Sequence, residues 1–256
     1  MSDFSDFIGG SGGSATLETI ILPKSQTWTP PLNGTGIIHV IGAGASGTGD
    51  ASTNKSGGAG GYSRKAVTFA TGTNWTIVIG AGGTSTAGSQ GTWPGGNSTA
   101  ADGSSSLTAN GGQGYPNAPL GGTASGGDVN FTGGKGGANL VGGGGAVGVF
   151  ANGSTSISLR GGSTTDANGG LDQFLPLGLG QLIGGRGGQD GTSDTKGGFL
   201  SGGGVTYVNN SGTLVHGGNG GIGGGGGQAR NAANANFSIG GSGGDGLVII
   251  QYLTVT

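Results

Sequence analysis

Several short motifs have residue types and spacing that could do chemistry. Gly42-Ala43-Gly44-Ala45-Ser46-Gly47 follows an apolar run and reproduces the G-x-G-x-x-G spacing of a dinucleotide-binding turn. That chemistry needs a helix whose N-terminus faces the pyrophosphate and an acidic residue about 20 positions further on. Here Thr48-Gly49-Asp50-Ala51-Ser52-Thr53-Asn54 reads as turn-like, and the region 62–69 holds no acid. The segment 240–248 fits the calcium nonapeptide G-G-x-G-x-D-x-U-x, with Asp245 at the acidic position. Such sites share ligands between stacked copies, and the similar segment at 133–141 has Ala138 where Asp is required. A β-turn entering the last strand is therefore expected at 240–246. Gly-x-Ser-x-Gly occurs at 9–13 and 240–244, but within glycine runs and without the strand–elbow–helix context of a hydrolase. His39 lies in an apolar strand and reads as core; His216 precedes a glycine run and reads as surface loop. Two histidines without cysteine make no zinc set. The acids are scattered singly, without the paired spacing of a glycosidase. The expectation is a protein that is not an enzyme and that uses no metal and no cofactor.

The elements around these motifs are shaped by glycine, which supplies 71 of 256 residues, about 28 % against an ordinary share of roughly 7 %. Glycine does not recur at every third position throughout, which excludes collagen. The charged residues nearly cancel, to a net −2, so neither charge-driven disorder nor a nucleic-acid or anionic-membrane footprint is indicated. No run approaches 18 apolar residues, so no transmembrane helix and no membrane insertion are expected. The start, Met1-Ser2-Asp3-Phe4-Ser5-Asp6-Phe7, has no signal-peptide character, which suggests synthesis in a cytoplasm and release by lysis.

Helix is disfavoured nearly everywhere, because glycine costs about 0.8–1.0 kcal/mol relative to alanine at an interior position. Strands are expected at 17–22, ending at Pro23, and at 36–41, 62–69, 75–79 and 247–253, with shorter ones at 104–109, 155–159 and 205–208. The first and last of these bracket the chain and suggest one β-structure closed at both ends. Gly-Gly-x-Gly-Gly recurs along the chain, as at 9–13, 57–61, 133–137, 184–188, 217–221 and 240–244. In polyproline-II geometry, with three residues per turn, such a run has two bare faces and one bearing side chains. Bare faces let backbones approach and hydrogen-bond, at about 1 kcal/mol net per bond, a contribution on the scale of glycine's ordering entropy. The glycine region is either such a packed bundle or disordered, and the bundle is the expectation. Lys135, Arg186, Gln189 and Asn219 would then point outward.

The β-segments resemble a known family. Leu22-Pro23-Lys24-Ser25-Gln26-Thr27-Trp28-Thr29-Pro30, then Ile37-Ile38-His39-Val40-Ile41-Gly42-Ala43-Gly44, look like the opening of the glycine-rich domain of bacteriophage tail-fibre and tail-tip proteins. The order continues with Gly57-Gly58-Ala59-Gly60-Gly61-Tyr62-Ser63 and Trp75-Thr76-Ile77-Val78-Ile79-Gly80, and closes with Gly243-Gly244-Asp245-Gly246-Leu247-Val248-Ile249-Ile250-Gln251-Tyr252. From 111 to 239 the likeness is compositional, to distal adhesins whose glycine segments pack as polyglycine-II helices with receptor-contacting loops at their ends. The long N-terminal attachment region of those adhesins is not found here. The resemblance implies a virion protein of the phage tail that meets the host surface, which also accounts for the lack of a signal peptide.

The expected fold is all-β: a small β-sandwich of N- and C-terminal strands with polyglycine-II-type helices and loops. Its expected division is an attachment arm at 1–15, a sandwich at 16–110 completed by 240–256, and a glycine-rich insertion with receptor-facing loops at 111–239. Lone aromatics between glycine stretches are the candidate receptor contacts: Trp93, Tyr115, Phe131, Phe150, Phe174, Phe199, Tyr207 and Phe237. The apolar segment 171–183 and the small-polar segment 231–236 are candidate loops. Phe4, Phe7 and Ile8, before the Gly9-Gly10-Ser11-Gly12-Gly13 link, are candidates for docking on another virion protein. The expected function is a non-enzymatic adhesin, assembled as a homo-oligomer, a trimer by expectation, that binds a host glycan or outer-membrane protein and is carried by other phage tail proteins. The alternative is a structural tail-tip or decoration protein without receptor contact. Ice-binding and cell-wall glycine-rich proteins can share the packing, but the missing signal peptide and cysteines argue against them.

Overall fold

The computed structural model describes residues 15–49, 55–88, 93–114, 119–137, 143–144, 152–153, 202–203, 206–208 and 214–255. They form an all-β protein; the helical piece among them is the three-residue 3-10 turn Ala235–Phe237. Two five-stranded antiparallel sheets make a sandwich. The first has β1 (Ala15–Leu22), β14 (Leu247–Val255), β3 (Gly34–Ile41), β4 (Tyr62–Phe69) and β9 (Val129–Phe131), in that order. The second has β2 (Gln26–Trp28), β5 (Trp75–Val78), β6 (Ser98–Ala101), β7 (Ser106–Ala109) and β8 (Ala124–Ser125). The chain does close on itself at both ends: β1 pairs with β14 from Ala15↔Val255 to Leu22↔Val248.

Alternation decides which side chains meet. Ile38 and Val40 of β3, Val248, Ile250 and Tyr252 of β14 and Leu22 of β1 face Ile77, Ala100, Leu107 and Ala109 of the second sheet. An aromatic group fills one end of this core. The Phe69 ring packs edge-on against Trp28 at 5.1 Å, Tyr252 at 5.3 Å and Trp75 at 5.9 Å, the geometry that aromatic quadrupoles favour. A Cβ at Gly34 or Gly36 would meet the β14 carbonyls of Leu253 and Gln251 first, and then the Tyr252 and Phe69 rings at 2.9 and 2.7 Å.

At the other end the strands run on into glycine segments, and the period changes from two to three. The amides of residues 42, 45 and 48 donate to the carbonyls of 61, 58 and 55; those of 43 and 46 donate to 96 and 93; those of 44 and 47 donate to 244 and 241. Each acceptor number falls by three as the donor rises by three, so the neighbours are antiparallel and lie on three faces of one three-fold helix. Carbonyls 43, 44, 45 and 48 accept from the amides of 112, 83, 226 and 229. Segment 42–49 is thus a polyglycine-II helix enclosed by others, and its Ala43, Ala45, Ser46 and Thr48 are fully buried. Segments 55–61 and 223–229 have the same kind of surroundings, the amides of 57 and 60 reaching the carbonyls of 226 and 223. Approach is so close that a Cβ on Gly44 would stand 1.9 Å from the Gly224 carbonyl oxygen.

This arrangement corrects two local expectations, at 48–49 and at 240–246. Residues 42–49 are a buried glycine helix continuing β3, so Thr48 and Gly49 belong to that helix and not to a turn, while 50–54 lie outside the described residues. Residues 240–246 are likewise a glycine helix leading into β14, not a β-turn; the Asp245 carboxylate accepts the Gly82 amide at 2.7 Å. Interior glycine helices begin at Gly42, within the segment that also supplies strands to the sandwich. β8 and β9 are edge strands of the two sheets of the sandwich. Lys135 and Asn219 point outward and are exposed. Arg186, Gln189, the segment 171–183 and the expected strand at 155–159 lie outside the described residues.

Candidate functional site

The glycine helices end opposite the aromatic end of the sandwich, and short elements finish the bundle there. Thr48 closes the central helix: its amide donates to the Lys55 carbonyl at 2.8 Å, and its Oγ1 accepts the Lys55 amide at 3.0 Å. Beside it run two small parallel pairs, β10 (Thr206–Val208) with β12 (Ala229–Asn231), and β11 (Val215–His216) with β13 (Ser238–Ile239). Between β12 and β13 the segment 231–237 loops out at the tip.

This loop is fixed by its own small polar residues. Asn231 is fully buried, and its Oδ1 accepts the amides of Ala233 at 3.1 Å and Asn234 at 3.3 Å. Asn234 Oδ1 accepts the Asn236 amide at 3.1 Å, and its carbonyl accepts the Phe237 amide at 3.1 Å. The Asn231 amide donates to Ser238 Oγ at 2.7 Å, which closes the base of the loop. Asparagine suits this work because its short side chain mimics a backbone carbonyl two or three residues ahead. The turn at Ala87 and Gly88 braces the loop from the side. Gly88 has φ of +65°, donates its amide to the Ser238 carbonyl at 3.0 Å and lies against Asn236.

The rigid loop presents Phe237, which is 36 % exposed. Leu214 stands one residue before Val215 as Phe237 stands one before its partner Ser238, and it is 49 % exposed. Trp93, half exposed, lies on the flank of the bundle, where its carbonyl accepts the Ser46 amide at 3.0 Å and its amide donates to Ser46 Oγ at 3.2 Å. A polar groove of about 220 Å3 runs below, lined by Ser85, His216, Asn219 and Ser242. The tip therefore offers apolar and amide groups on a fixed backbone, suited to binding.

The other expected contacts are placed differently. Phe131 is half-buried at the sheet edge, stacked on Tyr62 with centroids 6.1 Å apart and planes at 13°. Tyr207 is in β10, level with Arg230 of β12. Tyr115, Phe150, Phe174 and Phe199 lie outside the described residues, as do Phe4, Phe7 and Ile8. Sequence reasoning missed Leu214 and the 87–88 turn; a lone leucine beside Val215-His216 was the available signal for the first.

Among titratable groups, His39 is buried in the first sheet. Desolvation lowers its pKa to about 4, with nearby Arg64 acting the same way and the Gln251 hydrogen bond opposing. Burial raises that of Tyr62, against a smaller opposing influence of Arg64. Both stay neutral near pH 7 and serve as hydrogen-bonding groups. No cluster of three or more His, Cys, Asp or Glu able to hold a metal is found among the described residues. No helix among them is long and apolar enough to cross a membrane.

No curated protein matches this sequence. The profile of the Glycine-rich domain family, however, matches residues 19–253, from β1 through all the glycine helices to β14. The chain belongs to the Glycine-rich domain family.

Proposed function

We propose that this chain is a bacteriophage tail-fibre or tail-tip protein, a non-enzymatic adhesin that binds a host cell-surface receptor with the distal loops of its glycine bundle. The carrying observation is the tip itself: Phe237 held out on a loop whose amides are tied down by Asn231 and Asn234. Aromatic anchors on rigid supports supply much of the free energy of protein recognition, because little entropy is lost on binding. Trp93, Leu214 and Phe237 are the contacts assigned from the described residues. The ordered likeness of 22–110 and 240–252 to the phage tail domain supports a virion location, other tail proteins as partners and assembly as a homotrimer.

The test is binding of the purified, fluorescently labelled oligomer to candidate bacterial cells, with whole phage as competitor. Saturable binding that displaces phage supports the adhesin. A folded oligomer that binds no host cell to which the parent phage adsorbs refutes it and leaves a structural tail-tip role.

A further inference from the structure

The outer face of the first sheet, away from the tip, carries a second feature. Leu17 of β1, Ile37 of β3, Ala66 of β4 and Leu253 of β14 line an open, mostly apolar groove of about 630 Å3 at the end of the sheet remote from the glycine bundle. Leu17 is 56 % exposed, and Ile21, on the same face of β1, is 46 % exposed. Contiguous apolar surface of this kind marks a binding place more often than an idle one. Arg64, level with His39 in the β3–β4 register, brings a cation to this face, and the Asp128 carboxylate accepts the Ala66 amide at 2.9 Å beside the groove.

We propose that the groove is the docking site of this chain's own N-terminal arm, residues 3–8. The described chain begins at Ala15, two residues before Leu17, so the arm is tethered at the groove's edge. The arm carries three apolar side chains within five residues, Phe4, Phe7 and Ile8. Asp3 and Asp6 each stand one residue before a phenylalanine and bring two carboxylates to the arm, opposite in charge to Arg64. The intervening Gly9-Gly10-Ser11-Gly12-Gly13-Ser14 reverses without steric penalty and reaches about 20 Å, enough to bring the arm back over the sheet. A tether this short gives an effective concentration in the millimolar range, so the same copy's arm outcompetes a neighbour's. The inference stands apart from the receptor reading and survives its failure.

The chain has no cysteine, so introduced pairs report cleanly. In the full 256-residue chain, Phe7→Cys combined with Ala66→Cys is compared under mild oxidation with Phe7→Cys combined with Ser104→Cys, in the turn between β6 and β7 of the opposite sheet. Docking gives a disulfide within one chain for the first pair, at least about tenfold more than for the second. Equal trapping of both pairs, or a disulfide only between two copies, overturns the proposal. As a second readout, Phe4→Ser/Phe7→Ser/Ile8→Ser should increase binding of a fluorescent apolar dye, and an unchanged signal also counts against it.

Discussion

The Tyr62 hydroxyl donates to Nδ1 of His39 at 2.7 Å, deep in the first sheet, while Nε2 on the far side of the ring donates to Gln251 Oε1 at 3.0 Å. The hydrogen-bonded row thus crosses β4, β3 and β14 and fixes one neutral tautomer of the imidazole. Because the folded pKa is about 4 and the unfolded one 6.5, the unfolded chain binds a proton in this interval that the folded chain refuses. Stability should fall by about 3 kcal/mol as pH drops from about 6.5 to about 4, with no further change above that window. His39→Gln should flatten this part of the stability–pH curve, measured by urea denaturation. An unchanged slope would show that other groups set it.

Gly44 and Gly72 separate two kinds of glycine requirement. A Cβ at Gly44 runs into the Gly224 carbonyl at 1.9 Å, whereas at Gly72 nothing lies within 4 Å and only its φ of +81° resists a side chain. Gly72→Ala should cost about 1–2 kcal/mol through backbone strain. Gly44→Ala should cost about 3 kcal/mol or more, since two backbones must separate. Equal Tm changes for the two variants would contradict the tight packing around 42–49.

Gln228 lies in an interior glycine helix, fully buried, with its backbone amide donating to Ser56 Oγ at 3.1 Å but no hydrogen-bond partner for Nε2 or Oε1 among the described residues. Gln228→Met keeps the shape and removes two unsatisfied polar atoms. It should stabilise the fold by about 1–2 kcal/mol, and calorimetry showing a lower Tm would contradict this assignment.

Phe237 and Phe131 should respond oppositely to truncation. Phe237→Ala at the tip should weaken cell binding about tenfold or more with little change in Tm. Phe131→Ala should leave binding intact and lower stability by about 1–2 kcal/mol through loss of the stack on Tyr62. Reversal of the two patterns would move the recognition surface to the sheet edge.

How much of this was legible depended on whether the signal was local. The apolar runs of β3, β4, β5 and β14 were readable because their β-branched and aromatic residues favour a pleated, half-buried surface. β6, Ser98-Thr99-Ala100-Ala101, carries little such signal and is a strand because β5 and β7 flank it. Gly-Gly-x-Gly-Gly announced close backbone packing, yet not which segments lie inside. Residues 42–49 imitate a nucleotide loop in sequence, and only their neighbours make them a buried helix. At the candidate site, Phe237 and Phe131 look alike as lone aromatics near glycine. Their difference lies in Tyr62, 69 positions from Phe131 in sequence and paired with it across β4 and β9.

The enclosed glycine helices also set how this protein responds to temperature. Unfolding segments 42–49, 55–61 and 223–229 exposes peptide groups where an ordinary core exposes hydrocarbon. Apolar exposure raises the heat capacity of unfolding by about 0.45 cal/K/mol per Å2, and polar exposure lowers it by about 0.26. The glycine tier therefore subtracts from what the sandwich adds, and the dome of free energy against temperature is flattened. A fold built this way keeps nearly the same margin of stability in cold water as in warm.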